Sequence, residues 1–181
     1  MYEQLRLMPE IGRLLGDRAE IFFSDERAVP PESLESNFRA AKAGLFEPSG
    51  IDDSIVHRMR GEASDLAAEA GRYEREIRTV ATQGPSQAPQ LDLVLLGMGS
   101  DGHTASLFPE HDFGETEHAL VVAPYVVSQR TYRLTFTLKL INGSKTVLFL
   151  VTGSDKAPAV KKVLSAEFES DMLPARRVEA N

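Results

Sequence analysis

LDLVLLGMGSDGHTASLFP, Leu91–Pro109, decides how the rest of the chain is read. Its opening residues are almost wholly apolar, which suits a strand covered on both faces rather than one with a solvated side. The polar, glycine-rich run that follows leaves the carboxyl end of that strand, where open α/β sheets bind their ligands. Gly97, Gly99 and Gly102 let the backbone turn tightly and approach a ligand closely. Asp101 and His103 lie two residues apart, within reach for the carboxylate to orient the imidazole. Thr104 and its successors are expected to open a short helix whose amides face an anion. A Gly-rich turn carrying a hydrogen-bonded surface histidine fits the same residues.

Working outward, apolar strands alternate with helical periods. Leu5, Met8, Ile11, Leu14 and Leu15 give an opening amphipathic helix. Ala19–Ser24 reads as a strand, Asp25–Glu35 as a polar, Pro-rich loop, and Asn37–Phe46 as a helix stopped by Pro48 and Gly50. Ile55–Met59 reads as a short strand. Leu66, Ala70, Tyr73 and Ile77 mark a helix over Ser64–Val80, and Gln83–Gln90 is a loop by composition. Strands are expected at Ala119–Ala123, Tyr132–Thr137 and Thr146–Thr152, and then a helix capped by Ser154 and running to Leu164. This order implies an α/β, Rossmann-like layered domain with a largely parallel sheet flanked by helices.

Composition narrows the function. The 181 residues are 42% hydrophobic and 26% charged, as in ordinary globular proteins. The absence of cysteine excludes disulfides and thiolate metal sites. A formal net charge of −7 argues against nucleic acid or an anionic membrane as partner. MYEQLRLMPEIGRLL, Met1–Leu15, is not read as a signal peptide, and no apolar run approaches the length of a membrane span. An anionic ligand would therefore depend on a few local cations.

Three segments supply such cations. FFSDERAVPPESLESNF, Phe22–Phe38, places Arg27 at a second strand end, and a guanidinium fork suits phosphate. A solvated acid–base cluster is the other reading of DER. VLFLVTGSDK, Val147–Lys156, is a strand, a turn at Gly153 and a helix start with Lys156, which fits either an anion pocket or a solvent-facing lysine. Arg133 opens RLTFT, as a ligand contact or an edge charge. Gly97, Gly99 and Gly102 also match GxGxxG, but Pro109 leaves no room for the helix that a dinucleotide site needs. His103, His111, His118 and Asp112 fit no usual zinc spacing, so no metal is expected. His57 reads as structural. No Gly-x-Ser-x-Gly elbow occurs to support a serine nucleophile.

SDERAVPPESLESN, LDLVLLGMGSDGHTASLFP, RLTFT and TGSDK stand in this order, and together they resemble the 6-phosphogluconolactonase family, which is related to the glucosamine-6-phosphate deaminases. The resemblance runs from the opening helix to Leu164. It implies a cytoplasmic hydrolase of the pentose phosphate pathway that opens 6-phosphogluconolactone to 6-phosphogluconate, with no cofactor. By the same resemblance, His103 activates the attacking water and Asp101 polarises the site around it. Arg27, Arg133 and Lys156, with the backbone at Gly99 and Gly153, hold the phosphate, and Arg27 also stands near the developing oxyanion. The implied partner is a small-molecule sugar phosphate lactone, taken by a monomer or weak homodimer. In the deaminases a functional glutamate falls where this chain has Phe108, which cannot carry a proton. The family carries a strand and a Gly-Gly-Ser loop ahead of the position of Met1, and closes with a strand containing Trp and Asp. The expectation is thus one domain over residues 1–181, truncated at both ends and lacking the family's first strand. A truncated, non-catalytic sugar-phosphate-binding relative is the alternative.

Overall fold

In the computed structural model, residues 1–8, 10–16, 19–84, 88–109, 118–165 and 173–179 are described. Among the described residues, ten strands pair in both senses. β1 (Ile21–Phe22) runs parallel to β3 (Val56–His57), and β6 (Val94–Leu96) runs parallel to β10 (Val147–Phe149). β2 (Asp25–Arg27), β7 (Val121–Val122) and β8 (Tyr125–Val126) each pair antiparallel with β9 (Thr131–Phe136). β4 (Thr82–Gln83) and β5 (Pro89–Gln90) form a hairpin. The apolar strand expected from LDLVLL is β6, but it is not covered on both faces: Val94 and Leu96 are buried, whereas Leu95 is exposed.

Seven α-helical segments accompany them among the described residues. α1 (Tyr2–Leu5) and α2 (Ile11–Gly16) divide the expected opening helix. α3 (Asn37–Ala41) continues through a π-turn at Lys42–Phe46 into α4 (Glu47–Ser49), and Gly50 ends it at φ +65°. α5 (Leu66–Val80) is the longest. Asp65 accepts from the Ala68 amide at 2.9 Å, a cap worth about 1 kcal/mol. α6 (Leu138–Asn142) is capped by Thr137, and α7 (Ala157–Leu164) follows a 3₁₀ turn at Ser154–Lys156.

One apolar cluster joins α5 to β6, β7, β9 and α6 through Tyr73, Ile77, Leu96, Leu120, Leu134, Phe136 and Ile141. A second gathers Ile11, Phe23, Ala41, Leu45, Phe46 and Ile51. Tyr73 ties the layers together: its hydroxyl donates to the His57 carbonyl at 2.8 Å and accepts from the Phe23 amide at 2.8 Å. A buried phenol needs such partners, because an unpaired one costs about 1–3 kcal/mol.

Four local expectations change. Asp25–Arg27 is a strand rather than the start of a loop, because it pairs with β9, a partner too remote in sequence for any local pattern to report. Gln83–Gln90 is flanked by the β4–β5 hairpin pairs. Thr104 opens no helix. Thr104 and Leu107 instead exchange backbone bonds of 3.3 and 2.9 Å around a turn in which Ala105 takes φ +47°. Ser154 does not cap α7, whose N-cap position is Lys156 with no side-chain bond. Among the described residues, no helix is long and apolar enough to cross a membrane.

Candidate active site

Parallel pairing of β6 and β10 puts both carboxyl ends on the same side, so the loop after Leu96 and the turn after Phe149 leave the sheet together. The Leu150 amide still bonds the Leu96 carbonyl at 2.8 Å. The first loop carries Asp101 and His103, the second Gly153 and Lys156.

In the first loop the Gly99 amide donates to the His103 carbonyl at 2.9 Å and the Gly102 amide to the Gly99 carbonyl at 3.1 Å. Gly102 sits at φ +83°, a conformation that favours glycine. Gly99 is needed for a different reason: a Cβ there would collide with Nδ1 and Cε1 of His103 and with Oδ1 of Asp101. Asp101 Oδ1 lies 2.7 Å from His103 Nδ1 and accepts from the His103 amide at 3.1 Å. Partial burial works against charge on Asp101, but the amide and imidazole bonds outweigh it and hold its pKa below the ordinary carboxylate value. In the neutral tautomer that gives Nδ1–H to this carboxylate, Nε2 carries the lone pair and faces away from Asp101. The imidazole stacks on Phe108, centroids 4.4 Å apart and planes 24° from parallel.

Ser106 fastens this loop to the arginine-bearing strands. Its hydroxyl donates to Asp25 Oδ2 at 2.7 Å, and its amide donates to Thr135 Oγ1 at 3.1 Å. Asn37 Nδ2 donates to the Asp25 carbonyl at 3.0 Å and to Oδ1 at 3.2 Å. Burial pushes the Asp25 carboxyl above its ordinary pKa, against the Ser106 bond and the charges of Arg27 and Arg133. Glu26 has a structural duty. It is 3% exposed and accepts from the amides of Arg27, Asn37 and Phe38 and from the Ser36 hydroxyl at 2.8–2.9 Å. A carboxylate there neutralises the free amides that begin α3.

Arg27 and Arg133 are cross-strand partners, so both side chains leave the same face of the β2–β9 ladder. Arg27 Nη1 donates to the Glu35 carbonyl. Arg133 Nε is buried with no hydrogen-bond partner. Burial and the nearby Arg27 charge lower the Arg133 pKa, while Asp25, Glu35 and Glu26 oppose them.

The sequence candidates thus fall into three groups. Asp101, His103 and Gly99 form one contact cluster. Arg27 and Arg133 form a second, joined to the first through Asp25 and Ser106. Lys156 and Gly153 share the strand-end side with the His103 loop, but the contact recorded for Lys156 is an ion pair with Asp155 at 3.6 Å. Surface cavities of about 430 and 390 Å³ lie elsewhere, beside Asn142 and Arg176 and beside Arg58 and Glu62, and neither includes a residue of the His103 loop. His111 and Asp112 lie outside the described residues. Among the described residues no group of three or more His, Cys, Asp or Glu side chains could hold a metal ion. His57 is held between Glu20 and Glu76 at 2.7 and 2.8 Å and stacks on Phe22. Sequence reasoning did not single out Ser106, Thr135 or Asn37. A short serine or threonine in an apolar run carries no mark of the partner it meets.

This arrangement defines an α/β protein in which two candidate loops leave the carboxyl ends of a parallel strand pair beside an antiparallel ladder that carries two arginines. A sequence profile of the family described as glucosamine-6-phosphate isomerases/6-phosphogluconolactonase matches residues 1–181. The chain belongs to that family. It is 33% identical over 180 residues to the 6-phosphogluconolactonase of Haemophilus influenzae, covering 99% of this chain and 75% of that one. It is 32% identical over 167 residues to the Nostoc 6-phosphogluconolactonase, covering 92% of this chain and 69% of that one. The crystal structure of 6-phosphogluconolactonase from Leishmania guyanensis superposes with a TM-score of 0.82 at 30% identity, covering 98% of this chain and 74% of that one.

Proposed function

We propose that the chain hydrolyses 6-phospho-D-glucono-1,5-lactone to 6-phosphogluconate, the reaction named by its relatives. His103 Nε2 takes a proton from water as the water oxygen bonds to the lactone carbonyl carbon. The tetrahedral oxyanion then collapses, the bond from that carbon to the ring oxygen breaks, and the imidazolium returns its proton to the ring oxygen. Asp101 holds the imidazole in the tautomer that leaves Nε2 basic and stabilises the imidazolium between the two steps. Arg27 and Arg133 bind the phosphate, with Lys156 as a third cation. Arg27 also faces the developing oxyanion. Because a lactone is already activated, general-base help of about 10²–10⁴-fold with positioning is a sufficient mechanism.

The observation that carries the residue roles is the 2.7 Å Asp101–His103 pair on a loop tied by Ser106 to the arginine strands. The test is lactone hydrolysis by His103→Ala, corrected for spontaneous opening. Turnover should fall to the spontaneous rate with the circular dichroism spectrum unchanged. Undiminished turnover would remove His103 from the mechanism.

A further inference from the structure

We infer that Phe108 is a positioning residue for His103: its ring fixes the plane of the imidazole, and so the direction in which Nε2 points. The inference rests on the assignment of His103 as general base. A histidine side chain has two torsions, and the Nδ1 contact with Asp101 restrains one ring atom without fixing the ring plane. Rotation that preserved this bond would still swing Nε2 through an arc. Two further contacts close it. Gly99 abuts the Nδ1–Cε1 edge so tightly that it has no room for a Cβ. Phe108 lies against a ring face at 4.4 Å between centroids, with planes 24° apart.

The backbone is built to hold that phenyl ring in place. The Thr104–Leu107 turn reverses the chain and returns residue 108 over residue 103, with Ala105 in the left-handed region to make the reversal possible. The turn is pinned on one side by Thr104 Oγ1 donating to the Gly97 carbonyl at 2.8 Å, and on the other by Ser106 donating to Asp25 and Thr135. Phe108 itself is 4% exposed, whereas the His103 side chain is 32% exposed. A buried, anchored ring beneath a partly exposed one is a fixed floor under a reactive group. A base displaced by about 1 Å can lose about 10²-fold in rate, so a contact that sets the ring plane acts on kcat rather than on binding.

The experiment compares Phe108→Leu, which keeps most of the apolar volume but has no flat face, with Phe108→Tyr, which keeps the face. Phe108→Leu should lose roughly 10–100-fold in kcat with KM for the phosphorylated lactone changed by less than about threefold. Phe108→Tyr should return kcat to within about threefold of the parent. Proton NMR supplies an independent reading. The His103 ring protons, assigned by their loss in His103→Ala, should be shifted upfield by the phenyl ring current. They should move downfield in Phe108→Leu and stay in Phe108→Tyr. Parent-like kcat in Phe108→Leu with the ring-current shift gone would overturn the positioning role. Unchanged turnover in His103→Ala is a different failure: it removes the base itself, and the positioning role with it.

Discussion

Arg27 and Arg133 stand directly opposite each other in the β2–β9 ladder, two guanidinium groups on one face. Like charges at opposed ladder positions destabilise a sheet, and here one of them has a buried Nε without a partner. A bound dianion would relieve both costs. Arg133→Met should therefore leave the ligand-free melting temperature equal to or a few degrees above the parent. It should also raise KM for phosphorylated lactone about 10–100-fold, the loss of one or two hydrogen bonds to a charged group. Melting curves and steady-state kinetics on the same preparation check both arms. A lower melting temperature with unchanged KM would make Arg133 a structural residue.

The Asp101–His103 pair makes a prediction on charge. Asp101→Asn keeps size and shape, but its amide can present either an oxygen or a donor to Nδ1. When the donor faces Nδ1, the imidazole takes the wrong tautomer, with its proton on Nε2. The expected loss in kcat is about 10²–10⁴-fold with little change in KM. A parent-like kcat in the asparagine variant would show that the carboxylate only braces the loop.

The same carboxylate sets a pH window. The folded-state pKa of Asp101 lies below its ordinary value, so its contribution to stability is present above the unfolded value of about 3.9 and is lost as pH falls through the lowered folded value. The stability difference between the parent and Asp101→Asn should accordingly be flat through neutral and mildly acidic pH. It should shrink only below about pH 4. Denaturant titrations across that range measure it. A difference that shrinks near neutrality instead would show that another group dominates.

Much of this was legible from residues alone, and the reasons for the rest are local. The β6 strand was readable because LDLVLL is a continuous apolar run, and the α5 helix because Ala70, Tyr73 and Ile77 repeat at the helical period. The pairing of Asp25–Arg27 with β9 was not, since DER is short and polar and its partner strand is remote in sequence. Gly99 was legible as a residue that permits close approach, but the group approaching it is His103 of the same loop. Helix α6 escaped because five residues capped by Thr137 show too little periodicity to stand out from β9. The turn at Ala105 is the clearest case. Sequence favoured a helix after Thr104, and the chain reverses instead because Thr104 is held to Gly97 and Ser106 to Asp25 and Thr135.

Gly99→Ala tests the fit around the imidazole. The new methyl group would need the space held by His103 Nδ1 and Cε1 and Asp101 Oδ1, so the ring or the loop must move. Activity should fall by at least about 100-fold. Binding of 6-phosphogluconate, measured calorimetrically, should change far less, because the methyl group does not touch Arg27 or Arg133. Equal losses in both would mean that Gly99 contacts the ligand directly.

Ser106 should couple the two halves of the site in a pH-dependent way. Its hydroxyl donates to Asp25, and that bond favours the charged carboxylate. Burial has already raised the folded-state pKa of Asp25, so this group's contribution to stability is greatest at low pH and declines as pH rises through the folded value. Ser106→Ala removes one of the contacts that oppose the rise. Its cost should be about 1–3 kcal/mol where Asp25 is ionised and the carboxylate loses a donor, and smaller once Asp25 is protonated. In an Asp25→Asn background the pH dependence of that cost should disappear, because the amide does not titrate. Urea unfolding of the four variants at two pH values gives the double-mutant cycle. A cost for Ser106→Ala that is the same at both pH values in the parent background would mean that the hydroxyl does not act through the charge of Asp25, since the amide bond to Thr135 survives in the variant.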